Sequence, residues 1–268
     1  MLTGFGLRPH YYSPLKNEEY STPPVLEILS DNLMNHKGGP ALYYSDYFAE
    51  KSKILLHGVG LNIAGEASIS ESYLLEIKKL KHRYNPIVIS DHLCFNNTKT
   101  HHSYELLPIP RTKQDLKRII ERIHFVQEFL SSQISIENIS AYVEYEKNDY
   151  CEGEFFSEIT KATGCGVLFD INNLFVNAFN FSRHAEKELF EFPLHSITQL
   201  HMAGHTDCGD YLFDTHDKPV CEGVLQLLKI LKSKINLSKI PIILENDDSD
   251  TPLELVFSEW EKINQYVL

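Results

Sequence analysis

The chain has 268 residues, of which 43% are hydrophobic and 23% charged, and its formal net charge is -12. These values are typical of a water-soluble globular protein with an ample core, and the length suits one (β/α)8 barrel. The acidic balance argues against nucleic acid as a partner, because a phosphate backbone would be repelled.

The sequence also argues against export and membrane insertion. Its first residues lack the basic start and apolar stretch of a signal peptide, and no apolar run reaches the roughly 18 residues of a membrane helix. The five cysteines form no CxxC pair, which is typical of a reducing compartment. We therefore expect a cytoplasmic protein with no membrane partner.

Eight apolar segments with the character of β-strands follow one another along the chain. In order they are TGFGL, PPVLEIL, KILLHGVGL, PIVISDHL, QISIENIS, CGVLFDINN, ITQLHMAG and IPIILEND. Amphipathic stretches separate them. The clearest spans residues 112–133, for which the pattern predicts a helix with Thr112 as its N-cap, and a later helix is predicted to end at Gly164.

This alternation predicts an α/β fold, a single (β/α)8 TIM barrel with residues 1–268 as one domain. An open doubly wound sheet shares the alternation and stays an alternative, although GFGLRPH is not the glycine-rich phosphate loop expected after its first strand. The turn-rich segments 96–111 and 206–219 are predicted to be loops at the barrel mouth.

Most of the predicted strands end in a side chain that can bind a metal ion. Parallel strands of a barrel end at one rim, so we expect these side chains to surround one site. Imidazole and carboxylate without thiolate is a metal-ligand mixture, and eight such groups exceed what one ion can use. The pattern therefore predicts two or three metals with a bridging carboxylate. The residues are His57, His92, Glu137, Asp170, His201, Asp214, His216 and Glu245.

Each of these residues has a simpler interpretation when it is taken singly. A lone strand-end histidine is more often hydrogen-bonded than metal-bound, and the whole set could be an internal salt-bridge network. Burying several carboxylates together without cations is costly, however. Asp214 and His216 alternate, so in an extended segment both side chains point the same way. His10 and Glu27 are candidates for supporting the ligands.

The ordered series GLRPHYY, LLHGVGL, SDHL, IENIS, LFDINN, HMAGH, DTH and LEND resembles the multinuclear non-heme iron-dependent oxidative enzymes. This family was long described only as a domain of unknown function, and it includes the methanobactin and thiaglutamate maturation enzymes. The resemblance spans about nine tenths of the chain, in the family's order. One departure is EILSDN, where many relatives have an EN pair and this chain has Asp31.

The resemblance implies a TIM barrel that holds two or three iron ions and uses O₂ to remodel residues, commonly cysteines, of ribosomally made precursor peptides. The family's metal ligands would fall on the eight residues named above. We predict Asp170, Glu137 and His205 as catalytic groups and Asn138 and Asn173 as cofactor-binding residues. The family also implies a cysteine-containing precursor peptide as substrate and, often, a partner protein that captures the leader of that peptide.

Two other classes of function fit the same residues. A zinc- or manganese-dependent TIM-barrel sugar isomerase, or a phosphodiesterase-like hydrolase, would use similar ligands, because imidazole and carboxylate suit those metals as well as iron. A metal-storing or peptide-binding scaffold without turnover is the third possibility. Oxygen dependence separates the first class from the second, and a change in peptide mass separates it from the third.

Overall fold

The computed structural model describes residues 2–97 and 102–267. Eight parallel strands in these ranges close into one barrel, which confirms the predicted TIM-barrel fold and excludes the open sheet. All eight segments predicted from the sequence form these strands. The first four barrel strands are β1 (Thr3–Gly6), β2 (Val25–Leu29), β3 (Lys53–Gly58) and β4 (Val88–His92), and a hairpin of β5 (Phe95–Asn97) and β6 (His102–Leu107) follows them. The next three barrel strands are β7 (Ser135–Glu137), β8 (Gly166–Asp170) and β9 (Ile197–Met202). A second hairpin, of β10 (Thr206–Asp207) and β11 (Leu212–Phe213), precedes the last barrel strand, β12 (Ile242–Leu244).

Helices occupy the intervals between the barrel strands, and several begin and end at the residues that the sequence indicated. Thr112 accepts a hydrogen bond from the backbone N–H of Asp115 at the start of the helix Lys113–Leu130, and Gly164 follows the helix Glu152–Thr163 with a φ of 66°. A positive φ favours glycine, because a Cβ would clash there. The helices are α1 (Tyr12–Lys16), α2 (Pro40–Ala49), α3 (Glu71–Tyr84), α4 (Lys113–Leu130), α5 (Glu152–Thr163), α6 (Ile171–Asn180), α7 (Ala185–Leu189), α8 (Glu222–Lys232) and α9 (Leu253–Val267).

The register between neighbouring strands places their polar terminal residues at one level. His92 pairs with Glu137 across β4 and β7, and Asp170 pairs with His201 across β8 and β9. His57 pairs with Ser90, which lies two residues before His92 on β4. The side chains at these strand ends therefore face one another across a single rim, as the barrel geometry requires.

An apolar layer lies beneath the rim. Val25, Leu55 and Ile243 are fully buried and pack against one another as a small cluster. Each stands two positions before a polar residue of the rim, which is Glu27, His57 or Glu245. Because side chains alternate along a strand, residues two apart share a face. The polar layer thus lies next to a layer of buried apolar side chains inside the barrel.

The two segments predicted to be mouth loops contain short antiparallel hairpins instead. Strands β5 and β6 pair between Phe95 and Leu107, mostly within 96–111, and β10 and β11 pair within 206–219. Residues 98–101 of the first segment lie outside the described residues. The loop prediction was wrong for these strands because β5, β10 and β11 have only two or three residues each, too few to show a periodicity, and β6 lies in the same turn-rich segment as β5. No helix in the described residues is long and apolar enough to cross a membrane.

Candidate metal centre

One cavity at the carboxyl ends of the barrel strands brings together most of the predicted ligands. It has a volume of about 190 Å³, and Leu106 of β6 forms part of its wall. Asp170 and His201 adjoin it through Glu137 and Glu245, since one ligand atom of each of these four lies within 4.8 Å of the others. The predicted ligands that line the cavity are His57, His92, Glu137, Asp214, His216 and Glu245.

His57, His92 and Glu137 form the first cluster of ligand atoms. The Nε2 atoms of His57 and His92 lie 3.3 Å and 3.2 Å from Oε2 of Glu137. The Nδ1 atom of His92 lies 3.1 Å from the carbonyl oxygen of Gly58, which can only accept, and Nδ1 of His57 lies 2.9 Å from the Ser90 hydroxyl. With Nδ1 carrying the proton, each Nε2 directs a lone pair at Glu137.

Glu137, Asp170, His201 and Glu245 form the second cluster. The Nδ1 atom of His201 lies 3.1 Å from Oε1 of Glu137 and 3.1 Å from Oε2 of Glu245. Asp170 caps helix α6, where its Oδ1 accepts the backbone N–H of Asn173 at 2.8 Å. The two oxygens of Glu137 thus face different clusters, which is the arrangement of a bridging carboxylate.

Asp214 and His216 lie together at the edge of the same cavity, side by side as the DTH alternation predicts. Oδ1 of Asp214 lies 2.8 Å from Nε2 of His216, and Glu245 lies 3.7 Å from Nδ1. His216 has a φ of 50°, which is unusual for a side chain with a Cβ. Two backbone hydrogen bonds hold it there, one to Gly204 and one from Asp247.

Arg8 supports this edge through Asp247, a role that the sequence did not indicate. Nε and Nη2 of Arg8 donate to Oδ1 of Asp247 at 3.1 Å and 2.7 Å, and Oδ2 of Asp247 lies 3.1 Å from Nδ1 of His216. The only available signal was the position of Arg8 two residues after the end of β1. Asn172 was likewise missed, and its Nδ2 donates to Asp214 at 2.7 Å.

Glu27 orients His201 from the side opposite the second cluster. Oε2 of Glu27 lies 2.9 Å from Nε2 of His201 and also accepts from Gln199. A carboxylate behind an imidazole fixes the tautomer and raises the basicity of the other nitrogen. Glu27 therefore directs Nδ1 of His201 at Glu137 and Glu245, where a bound cation would replace the proton on that nitrogen. His10, the other predicted supporting residue, packs against Tyr11 with ring centroids 4.0 Å apart.

Replacing Glu27 by glutamine is expected to weaken metal binding by about 10- to 100-fold, the usual effect of losing a partner behind a ligand. Glutamine keeps the shape of the side chain but removes the negative charge that faces Nε2 of His201. Zinc affinity measured by competition with a chromophoric chelator checks this, with Glu254→Gln on the exposed face of α9 as the control. Equal affinities of Glu27→Gln and the unaltered protein would contradict the role.

Burial shifts the pKa values of the central groups in opposite directions. It raises the pKa of Glu137 to about 8 and that of Asp170 to about 7. It lowers the pKa of His57 well below 6.5 and that of His92 to about 4. At neutral pH these two imidazoles are neutral, which is the form that binds metals, while the carboxyls hold protons that a cation would displace.

Several buried polar atoms of the cluster have no hydrogen-bond partner among the described residues, although buried polar groups almost always find one. Oε2 of Glu137 faces two imidazole lone pairs, an arrangement that repels unless a cation or a proton lies between the atoms. These residues fit a metal ion, because each unpartnered atom is of a type that binds one. The atoms are Oε2 of Glu137, Oδ2 of Asp170 and Oδ1 of Asn173.

The remaining predicted site residues occupy different positions. Asn173 lines the cavity, with Nδ2 donating to the Asn138 carbonyl at 3.0 Å. The Asn138 side chain binds the backbone of Asp170: its Nδ2 donates to the carbonyl oxygen and its Oδ1 accepts from the N–H, both at 2.9 Å. His205 lies outside both clusters. Its Nδ1 is 2.7 Å from Oδ1 of Asn172, and its ring stacks on Phe175.

Known proteins resemble this chain over its whole length. A family model described as "RiPP precursor modification enzyme MbnB/TglH/ChrH" matches residues 2–268, where RiPP denotes a ribosomally synthesised and post-translationally modified peptide. A UPF0276 protein from Caulobacter vibrioides (strain NA1000 / CB15N) is 32% identical over 256 residues, covering 96% of this chain and 90% of that protein. A second, from Anaeromyxobacter sp. (strain Fw109-5), is 34% identical over 258 residues, covering 96% and 89%.

Solved structures with similar folds share little sequence with this chain. Endonuclease IV from Thermus thermophilus superposes with a TM-score of 0.63 at 13% identity, covering 100% of this chain and 99% of that one. D-psicose 3-epimerase from Clostridium cellulolyticum, solved with D-tagatose, gives 0.62 at 11% identity, covering 100% and 98%. At such identities the likeness concerns the barrel alone.

Proposed function

Since the chain belongs to the family of RiPP precursor modification enzymes MbnB/TglH/ChrH, we propose that it is a multinuclear non-heme iron enzyme that uses O₂ to modify a cysteine, or another residue, of a ribosomally made precursor peptide. The observation that carries this proposal is Glu137, whose two oxygens face two separate clusters of buried ligands. A centre with a shared carboxylate suits several metal ions rather than one.

The proposed ligands divide into three groups around the cavity. His57 and His92 would hold one ion with Glu137, and Asp170, His201 and Glu245 would hold a second with the other oxygen of Glu137. In a centre of three ions, Asp214 and His216 would hold the third. Iron in these positions would supply one-electron redox chemistry and open sites for O₂ and a substrate thiolate.

The chain itself shapes the cavity in which a substrate side chain would lie. A volume of about 190 Å³ admits one side chain rather than a folded segment. Leu29, Val59, Leu106 and Ile139 form its apolar wall, so water is excluded from that side. Exclusion of water protects reactive species and strengthens electrostatic contacts within the site. Arg8 is the only arginine or lysine that lines the cavity in the described residues.

His205 remains a proposed catalytic group, held beside the metal centre through Asn172 rather than in the lining of the cavity. Burial lowers its pKa, so the imidazole is neutral at pH 7 and able to accept a proton. Because Nδ1 lies 2.7 Å from the Asn172 oxygen, it carries the hydrogen and Nε2 is the acceptor. The side-chain amide of Asn172 also donates to Asp214, which links the position of His205 to the metal centre.

Anaerobically purified protein is expected to bind two or three iron ions per chain, the number that the three groups of ligands suit. Plasma mass spectrometry and Mössbauer spectra of an iron-57 sample measure this, and the mass change of a cysteine-bearing precursor peptide in air and under argon measures the oxygen requirement. Stoichiometric zinc or manganese, with iron absent after reconstitution, would instead favour a sugar isomerase or a phosphodiesterase-like hydrolase.

A further inference from the structure

The exposed apolar side chains of this protein are concentrated beside the metal centre. Twelve large hydrophobic residues are exposed in the described part of the chain, and half of them lie in three short segments of the rim. Scattered exposed apolar residues need no explanation, whereas a cluster marks a binding surface. The six are Tyr142, Val143, Tyr145, Phe179, Tyr211 and Phe213.

Three of these six residues, Tyr142, Tyr211 and Phe213, line an open groove of about 450 Å³. We call it the aromatic groove and define it by its lining residues, Tyr142, Asn180, Phe181, Tyr211 and Phe213. Tyr142, Tyr211 and Phe213 are each 45–46% exposed. The rings of Tyr142 and Phe213 lie 5.4 Å apart and form one wall.

The aromatic groove is held in shape by hydrogen bonds rather than by loose loops. Asn180 pairs with the backbone of Leu212 in both directions, at 3.0 Å and 2.8 Å, which fixes the β10–β11 hairpin on the end of α6. Asn177 accepts from Ala141 and donates to Ile139, which fixes the segment before Tyr142. A surface ordered in advance loses little entropy when it binds.

Two stretches of chain run directly from the groove into the metal cavity. Ile139 and Ser140 line the cavity, and Tyr142 lines the groove two residues later. Phe213 lines the groove and Asp214, the next residue, lines the cavity. The backbone N–H of Asp214 also donates to the Tyr142 hydroxyl at 3.0 Å. A chain lying in the groove therefore passes the mouth of the cavity within about one or two residues.

The charge beside the groove is negative. Asp207 and Asp210 of the β10–β11 hairpin are exposed, and neither forms a salt bridge in the described residues. Arg183 lies over the Phe181 ring but is already paired with Glu144 and Glu188. An aromatic wall with unpaired carboxylates at its rim complements an apolar side chain that has a cation beside it.

We propose that the aromatic groove binds the precursor peptide itself, by an aromatic or aliphatic side chain close to the residue that is modified, with a neighbouring lysine or arginine facing Asp207 and Asp210. This inference rests on the proposed function for the nature of the occupant. It adds a substrate preference, since peptides with an apolar residue near the reacting position and a cation beyond it are selected.

Four synthetic peptides test this proposal on zinc-loaded protein, where no turnover takes place. The probe is acetyl-Lys-Phe-Gly-Cys-Gly-Phe-Lys-amide, which is symmetrical so that either chain direction can be accommodated. The others replace both phenylalanines by alanine, both lysines by glutamate, or the cysteine by serine. Isothermal titration calorimetry at low and high salt gives their affinities, because the contribution of the lysines weakens as salt screens it.

The phenylalanine peptide is expected to bind at least about tenfold more tightly than the alanine peptide, as an anchoring aromatic ring usually does. The glutamate peptide should bind several-fold more weakly, mainly at low salt. Tyr211→Ser with Phe213→Ser should remove the difference between the phenylalanine and alanine peptides, whereas Phe125→Ser, a matched aromatic residue on the outside of α4, should keep it.

Equal binding of the phenylalanine and alanine peptides to the unaltered protein would overturn the proposal, as would a difference that survives in the double variant. Unchanged zinc stoichiometry and circular dichroism identify a folded variant, and the comparison between peptides on the unaltered protein needs no variant at all. The serine peptide addresses the proposed function separately. If it binds like the cysteine peptide, and iron-loaded protein in air leaves the cysteine peptide unchanged in mass, oxidation of cysteine fails while the groove stands.

Discussion

Replacing Glu137 by glutamine is expected to reduce metal binding to one ion or none per chain and to abolish peptide modification. Glu137 is the only residue common to both clusters of ligand atoms found in the described residues. Glutamine retains one weak oxygen ligand and replaces the other oxygen by an NH₂ group. That group would face either His57 and His92 or, in the other orientation of the side chain, His201. A neutral amide cannot balance two cations, so both groups lose affinity together.

The same substitution should have little effect on the metal-free protein. Burial raises the pKa of Glu137 to about 8, so its carboxyl is mostly protonated near pH 7, and a glutamine resembles that form. Ligand binding adds about 2.7 kcal/mol to the stability of a protein at a hundredfold excess over the dissociation constant. The stabilisation on adding zinc should therefore disappear in Glu137→Gln, while the metal-free melting temperature stays close to its original value.

Metal analysis and thermal unfolding with and without zinc check this prediction. Glu152→Gln is a suitable control, because burial raises the pKa of Glu152 to about 7 and that residue lies outside the candidate centre. The control should keep the full stabilisation by zinc. If Glu137→Gln kept two or more metals per chain, the bridging role of Glu137 would be refuted.

The sequence was sufficient to predict the barrel and the gathering of the polar residues, because both follow from local patterns. Strand–helix alternation predicts parallel strands, and parallel strands end at one rim. His57, His92, Glu137 and His201 each end an apolar run, so their common location required no knowledge of long-range contacts. The DTH alternation likewise predicted that Asp214 and His216 lie side by side, although His216 has a left-handed backbone rather than an extended one.

Contacts between distant segments were beyond the sequence. Arg8 and Asp247 are 239 positions apart, and neither residue carries a local signal that it supports His216. The distance of His205 from the two clusters depends on the path of the chain after β9, which no periodicity records. The aromatic groove was missed for the same reason, since the β10–β11 hairpin meets the end of α6 only in the folded protein.

Metal-free protein is expected to lose stability as the pH rises from about 6.5 to about 8.5, and bound metal should abolish or reverse this loss. The pKa values of Glu137 and Asp170 are raised by burial to about 8 and about 7, so the folded state holds two protons that the unfolded state releases near pH 4. A raised pKa contributes stability that is present below the unfolded value and is lost as the pH passes the folded one.

Two histidines of the centre have raised pKa values and two have lowered ones, so their effects on stability differ in sign. Burial opposes the charging of His201 and His216, but the carboxylates around them, Glu245 foremost, hold both pKa values well above 6.5, so their contribution also declines as the pH rises. Burial lowers the pKa values of His57 and His92, so their contribution is complete above 6.5 and falls only in acid. Above pH 6.5 the groups of the centre that still titrate therefore all lower the stability of the metal-free protein as the pH rises.

Thermal unfolding of metal-free and zinc-loaded protein at the two ends of this range measures the effect. One unit of pKa difference corresponds to 1.36 kcal/mol, and 1 kcal/mol shifts the melting temperature of a chain of this size by roughly 2–4 °C, so a decrease of about 5 °C or more is expected without metal. Because zinc binding displaces the protons, zinc affinity should rise over the same range. Glu137→Gln combined with Asp170→Asn should reduce the fall of the metal-free melting temperature with pH, whereas Glu254→Gln should leave that fall unchanged. A metal-free melting temperature that did not fall with pH would mean that protons do not take the place of cations among these carboxyls.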